Sequence, residues 1–410
     1  MSRWHRRGAW ALAMGAMLAV SVAGLVSGCT ALGGKLDGAR LDAATQSPQW
    51  QGTRFVDPQP LWADASGAWQ DLLFGPATPD ATPHVPVAVD ANAAERLRSP
   101  PSSGLRLTWF GHSSMLLEID GLRVLIDPLF SERASPVAWA GPKRWYAPPA
   151  TLDDIAAAGP VDAVLISHDH YDHLDQGAIA GMAGWSTRFI VPLGVGAHLE
   201  RWGVPATRIV ELDWWQETAL RGVRLVATPA RHRSGRGLGG GNRTLWAGWA
   251  VVGPAHRAWY SGDTGFHDGL AEIGRRLGPF DLTMIEAGQY NPLWPDTHLG
   301  PEHAVLAHQQ VRGRTMVPVH WGLIQEAPHP WIEPVERALA AAACAAVDVA
   351  TPRPGQSIEP PFDTARERWW PAATWRSAAA SPQRPTRRGD PADRLPAPAC
   401  PPPSTSTSTM

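Results

Sequence analysis

The chain has 410 residues, a formal charge of −2, 44% hydrophobic residues and 18% charged ones. A near-neutral chain without blocks of like charge lacks the field that nucleic acid or another polyanion requires. The length allows two or three average domains with a large core, and the 21 tryptophans receive little functional weight.

At the N-terminus, Arg3, Arg6 and Arg7 precede the apolar run AWALAMGAMLAVSVAGLV, which leads to Val26-Ser27-Gly28-Cys29. A basic stretch, an apolar stretch and small residues describe a secretory signal. The alternative is a single span, since the run nears the roughly 20 residues a membrane helix needs. Val-Ser-Gly-Cys resembles the bacterial lipobox, which makes residues 1–28 a lipoprotein signal peptide and Cys29 the lipidated first residue of the mature chain. Thr30 follows in place of aspartate, and by resemblance to Gram-negative sorting this favours the outer membrane, facing the periplasm. Acyl chains would tether the protein without spanning the bilayer. Cys344, in AAACAAV, is expected to pack as a small hydrophobe, and Cys400 sits in a Pro-rich stretch. No disulfide framework or zinc knuckle is visible.

Residues 29–50 read as a tether and 51–103 as an N-terminal extension and connector, irregular from 76 onward. The body spans 104–360. Its strands read at 105–110, 114–119, 122–127, 161–167, 188–191, 223–228, 245–252, 257–261, 281–286 and 314–319, with Asp120-Gly121 as a tight hairpin turn. Helices fit at 175–183, 194–202, 268–277, 301–311 and 331–346, with Glu302 and His303 facing solvent. The mixture implies an α/β body of sheets covered by helices. Residues 361–410, rich in Pro, Ala and Ser, cannot bury enough apolar surface to offset ordering, and a disordered tail is expected.

The stretch ISHDHYDHLD follows directly on the apolar run 161–167 and raises a choice between a polar loop and a metal site. His168-x-His170-x-Asp172-His173 offers nitrogen and oxygen donors suited to zinc or a similar first-row metal, without thiolates. Other strands also end in possible ligands: His232 after 223–228, Asp263 after 257–261 and His320 after 314–319. Singly, each more often caps a turn. Jointly they place imidazoles and carboxylates where loops on a rigid scaffold carry function. Five histidines and two aspartates suffice for two ions with one shared carboxylate and a hydroxide between them.

These residues resemble the metallo-β-lactamase fold superfamily. The segments SERASP…GPKR, ELDWW, SGDTGF and THLGPEHAV…VPVHWG, with FVDPQPLW upstream, resemble more narrowly the N-acyl-phosphatidylethanolamine-hydrolysing phospholipase D family, over roughly residues 50–345. The resemblance implies an αββα sandwich of two mixed sheets flanked by helices. It implies two Zn2+, one on His168, His170 and His232, the other on Asp172, His173 and His320, with Asp263 bridging. It also implies attack of the bridging hydroxide on a phosphodiester, releasing phosphatidic acid and N-acylethanolamine, and a possible homodimer. Here the glycine-rich GLGGG (237–241) and the YNPLWPDTHLG loop depart from the family pattern.

Asp172 is expected to orient the nucleophile and Asp263 to serve the chemistry as well as the metals. His298 is a candidate phosphate contact or leaving-group donor, or else a neighbour of the 301–311 helix cap. His112 and Asp127 stand at strand ends, as partners that hold ligand imidazoles in one tautomer or as simple turn residues. His198, His256, His267, His303, His308 and His329 are expected to be solvated. Two rivals stand beside this reading. One is another hydrolase on the same fold, a lactonase or a sugar-phosphate hydrolase, for which Arg231, Arg233 and Arg236 beside His232 would be the anion binders. The other is a non-catalytic envelope lipoprotein.

Overall fold

The computed structural model describes residues 30–75, 77–237, 241–362 and 365–398. A small hairpin, β1 (Trp50–Gln51) and β2 (Arg54–Phe55), precedes two seven-stranded sheets. The first sheet holds β3 (Leu105–Gly111), β4 (Ser114–Ile119), β5 (Leu122–Ile126), β6 (Ala163–Leu165), β7 (Arg188–Pro192) and β8 (Ile209–Leu212), with the short strand Ser357–Ile358 on its β3 edge. The second runs in order from β9 (Glu217–Leu220) through β10 (Val223–Thr228), β11 (Gly248–Val252), β12 (Arg257–Tyr260), β13 (Phe280–Glu286) and β14 (Gly313–Val319) to β15 (Asp348–Val349). Each sheet makes three antiparallel pairings followed by three parallel ones. The two halves therefore share one plan, although no repeat shows in the sequence.

Side-chain alternation explains the layering. In β4, Met115, Leu117 and Ile119 join the core between the sheets, while Leu116 packs outward against helices. In β11, Trp249 and Val251 point inward and Ala250 and Val252 outward. The helices Gln176–Met182 and Gly196–Arg201 cover the first sheet, and Gly269–Leu277 and Pro301–Gln310 cover the second. The architecture is the expected αββα sandwich of two mixed sheets. At the β4–β5 turn, Asp120 (φ 49°) and Gly121 (φ 83°) both adopt the positive φ that a type I′ hairpin demands.

Several expectations fail. Residues 365–398 are not a disordered tail. Trp369 and Trp370 join a cluster with Trp109, Trp321 and Trp331, at centroid spacings of 5.4 Å (Trp321–Trp369) and 5.3 Å (Trp369–Trp370). Farther on, the buried Thr386 donates through its backbone N–H and Oγ1 to Asp296 at 2.6 and 2.5 Å. Two indoles and a few polar contacts to buried charges provide the ordering free energy that bulk composition does not reveal. Residues 30–50 are not a loose tether either: they contain the helix Gly38–Thr45 and bury Leu36 and Ala44 beside Phe55 and Trp246. Cys344 is disulfide-bonded and not a free hydrophobe. Among the six histidines expected in solvent, His198, His267, His303, His308 and His329 are buried, and Glu302 with them. Their elements are covered by chain that lies far away in sequence. Cys29 and the signal segment lie outside the described residues. Among the described residues, no helix is long and apolar enough to cross a membrane.

Candidate metal centre

One edge of the sandwich collects the chemistry, at the carboxyl ends of the parallel strands. Asp127 follows β5, Ser167 and His168 follow β6, Asp263 follows β12, Glu286 ends β13 and His320 follows β14. His232 arrives from the antiparallel β10, and His112 from the β3–β4 turn. His112, Asp127 and His320 have positive φ (52°, 38° and 66°), a strained backbone that persists only where surrounding structure enforces it. His112 and His320 are tied back to back: His112 N–H donates to Trp321 O at 2.9 Å and His320 N–H to His112 O at 3.0 Å.

Two groups of donors face each other. His168, His170 and His232 converge in one; His112, Asp172, His173 and His320 converge in the other. Asp263 lies between them. Its Oδ1 is 3.2 Å from His173 Nε2, and its Oδ2 is 3.2 Å from His320 Nε2, 3.8 Å from His168 Nε2 and 3.7 Å from His232 Nε2. The structure thus brings together all seven residues expected as ligands. His298 joins them, with Nδ1 3.9 Å from Asp263 Oδ2 and its ring stacked on His320 at 5.1 Å.

Tautomers follow from the outer partners. His173 Nδ1 donates to Asp127 Oδ2 at 2.7 Å and His232 Nδ1 to Thr297 O at 2.8 Å, which leaves both Nε2 atoms as lone-pair donors toward the centre. Asp127 also accepts from Ser167 N–H (2.7 Å) and Tyr260 OH (2.7 Å). His112 Nε2 donates to Asp172 Oδ2 at 2.9 Å. Both residues stand where partners of the ligands should stand.

The centre fits a cation. His173 Nε2 and Asp263 Oδ1 are buried without a hydrogen-bond partner, an arrangement that ordinarily destabilises a fold. Burial by itself would lower the His173 and His320 imidazoles, yet Asp172 and Asp263 hold His173, and Asp263 above all holds His320, well above the ordinary range. The buried carboxylates draw positive charge to themselves, and the donor set of imidazole and carboxylate is that of a first-row divalent metal.

Sequence reasoning missed four contributors. Glu286 accepts from His298 Nδ1 at 2.7 Å, from Thr264 N–H at 2.6 Å and from Leu299 N–H at 3.2 Å. It ends a strand, so the rule that selected Asp263 and His320 applies to it equally. Tyr260 and Ser167 hold Asp127 in place. Glu326 Oε2 lies 3.7 Å from His112 Nε2, and no pattern in the sequence marks it. The three arginines near His232 separate in role. Arg231 is fully buried on Asp296 at 3.0 Å, Arg236 is buried on backbone carbonyls, and only Arg233 is exposed. A sugar-phosphate pocket built on all three does not exist.

Two mixed sheets with these donors at one edge define a metal-dependent hydrolase. Residues 122–321 match a family model described as a beta-lactamase superfamily domain. An uncharacterized Mycobacterium tuberculosis protein is 51% identical over 289 residues, 70% of this chain and 77% of that one. The chain belongs to the metallo-β-lactamase superfamily. It is also similar to the N-acyl-phosphatidylethanolamine-hydrolyzing phospholipase D 1 of Caenorhabditis elegans, 38% identical over 54% of this chain and 64% of that one. The mitochondrial enzyme of that name in Saccharomyces cerevisiae is 31% identical over 62% and 54% respectively. A solved metallo hydrolase from Ignicoccus hospitalis aligns with a TM-score of 0.48 at 22% identity, over 62% of this chain and 97% of that one.

Proposed function

We propose that the protein is a zinc-dependent phosphodiesterase of phospholipase D type, acting on N-acyl-phosphatidylethanolamine-like lipids, and that Cys29 anchors it by acyl chains to the outer membrane, facing the periplasm. The observation that carries the reaction class is Asp263, set between two donor groups and 3.2–3.8 Å from four imidazoles. That is the arrangement two cations sharing one carboxylate require. The substrate class draws its support from the two similar phospholipases.

His168, His170 and His232 would hold one zinc, Asp172, His173 and His320 the other, with Asp263 common to both. When bound, the metals supply Lewis acidity toward a phosphoryl oxygen and lower the pKa of water toward ~7. The chain's own residues do the rest. Asp172, held by His112, orients the attacking oxygen. His298, held through Nδ1 by Glu286, presents Nε2 as a proton donor to the departing ethanolamine oxygen.

The test is Asp263→Asn and His170→Ala, with bound zinc and turnover of an N-acyl phospholipid measured together. Both variants should lose metal and activity. Full zinc content with wild-type turnover in either one overturns the scheme.

A further inference from the structure

The segment that follows Cys29 is seated on the body from its first described residue. Thr30 O accepts from Trp202 Nε1 at 2.8 Å, and Ala31 O accepts from Arg236 Nε at 2.9 Å. The same buried guanidinium donates to the carbonyls of Asp169 (2.7 Å) and Leu174 (2.8 Å), bracketing the ligand loop, and lies 4.0 Å over the Tyr171 ring. Ala31 is therefore one side chain away from the metal motif.

Gly33 and Gly34 make the seat possible. A Cβ on Gly33 would meet His198 Nδ1 at 2.1 Å, and one on Gly34 would meet the Ala197 carbonyl oxygen at 1.9 Å. His198 lies in turn 3.3 Å from Asp169. A spacer that merely covers distance has no need of such close approach. Of the five large apolar side chains exposed among the described residues, Leu32 and Trp139 belong to segments that reach the Tyr171 region, one through Arg236 and the other through Ala134. Leu32, 44% exposed, adjoins Gly237. Trp139, 78% exposed, tips the loop closed by the Arg133–Lys143 bridge, and Ala134 roots that loop in the cluster containing Tyr171. An exposed indole suits the headgroup layer of a bilayer.

We propose that residues 30–36 are a rigid latch holding the edge of the body that carries the ligand loop against the bilayer that carries the Cys29 lipid, so that substrate is drawn from that same leaflet. The inference rests on the anchoring and phospholipid reading above. A free tether of some 20 residues would let the body wander by about 25 Å. With Thr30 pinned, one peptide unit of ~3.8 Å separates the seated chain from the lipidated position.

The experiment uses full-length lipidated protein in phosphatidylethanolamine–phosphatidylglycerol vesicles containing N-acyl-phosphatidylethanolamine. It is compared with Gly34→Val, which blocks the seat, and with a 12-residue Gly/Ser insertion between Cys29 and Thr30, which leaves the seat intact but slackens the anchor. Both variants should stay vesicle-bound and hydrolyse soluble bis(4-nitrophenyl) phosphate within about twofold of wild type. Both should lose about tenfold on the embedded lipid, as its effective concentration at the metal centre falls. Unchanged vesicle turnover in both overturns the latch. Hydrogen–deuterium exchange reads orientation without activity: vesicles should protect residues 30–36 and 133–143 of the wild type and spare the Glu217–Leu220 edge. Protection confined to that edge overturns the proposal even if the enzyme cleaves neither substrate, an outcome that by itself would reject only the proposed activity. Release of the wild type from vesicles, with the same solubility as Cys29→Ala, would remove the anchor and the latch together.

Discussion

Asp127 takes four hydrogen bonds on one carboxylate, from Ser167 N–H and Oγ, His173 Nδ1 and Tyr260 OH, all at 2.5–2.7 Å. Its work is to fix which nitrogen of His173 faces the centre. Asp127→Asn puts an amide among those donors, and zinc affinity should fall ~10–100-fold, read by chelator competition, while the circular dichroism spectrum stays that of the wild type. An unchanged affinity would remove Asp127 from the metal argument. Glu286 acts on His298 in the same way, through one 2.7 Å hydrogen bond. His298→Ala should keep its full zinc content and lose ~10²–10⁴-fold in kcat, as expected for a proton donor. Zinc loss in that variant would instead make His298 a ligand.

The helix Pro301–Gln310 shows how an element can mislead. Its sequence reads as half polar, yet Glu302, His303 and His308 are all buried. Glu302 receives Arg337 in a two-pronged pair at 2.8 Å for each prong, so removing either partner would leave a buried charge alone. Burial pushes His303 and His308 down to about 4. An unfolded chain binds protons at these histidines below its ordinary value near 6.5, whereas the folded chain does not until about pH 4. Their neutral burial therefore leaves stability intact above pH 6.5 and erodes it as pH falls toward 4, by about 1.4 kcal/mol per pH unit for each group. His308→Gln keeps a partner for Thr283 Oγ1, which His308 meets at 2.8 Å. Urea midpoints between pH 7 and 4.5 should fall less steeply in this variant than in wild type, and parallel slopes would contradict the assignment.

At the scale of the molecule, residues 30–50 and 365–398 act as straps over the sandwich. The C-terminal strap carries Trp370, 5% exposed, into the tryptophan cluster of the inter-sheet core. Trp370→Ala should cost about 3–5 kcal/mol, the range for emptying a buried indole site. At roughly 2–4 °C per kcal/mol for a domain of this size, the melting temperature should drop by about 6–20 °C. An unaltered melting temperature would mean that the strap contributes nothing to the fold. Five tryptophans thus serve packing, joining strand, loop and strap in one aromatic cluster.

The sequence by itself determined what depends on near neighbours. Alternation located β3, β4 and β5, and a ligand following each of several strands picked out His232, Asp263 and His320 beside the His168–His173 motif. Strand ends at one edge of a sheet are neighbours by construction, so local spacing foretold a distant convergence. Tertiary structure alone decided the rest. Glu302 looks solvated until Arg337 is placed beside it, Glu326 has no meaning until His112 turns toward it, and Thr386 matters only because Asp296 lies buried beneath it. These partners are separated by 35, 214 and 90 positions. Burial of a polar side chain is set by what covers it, and no local periodicity encodes the cover.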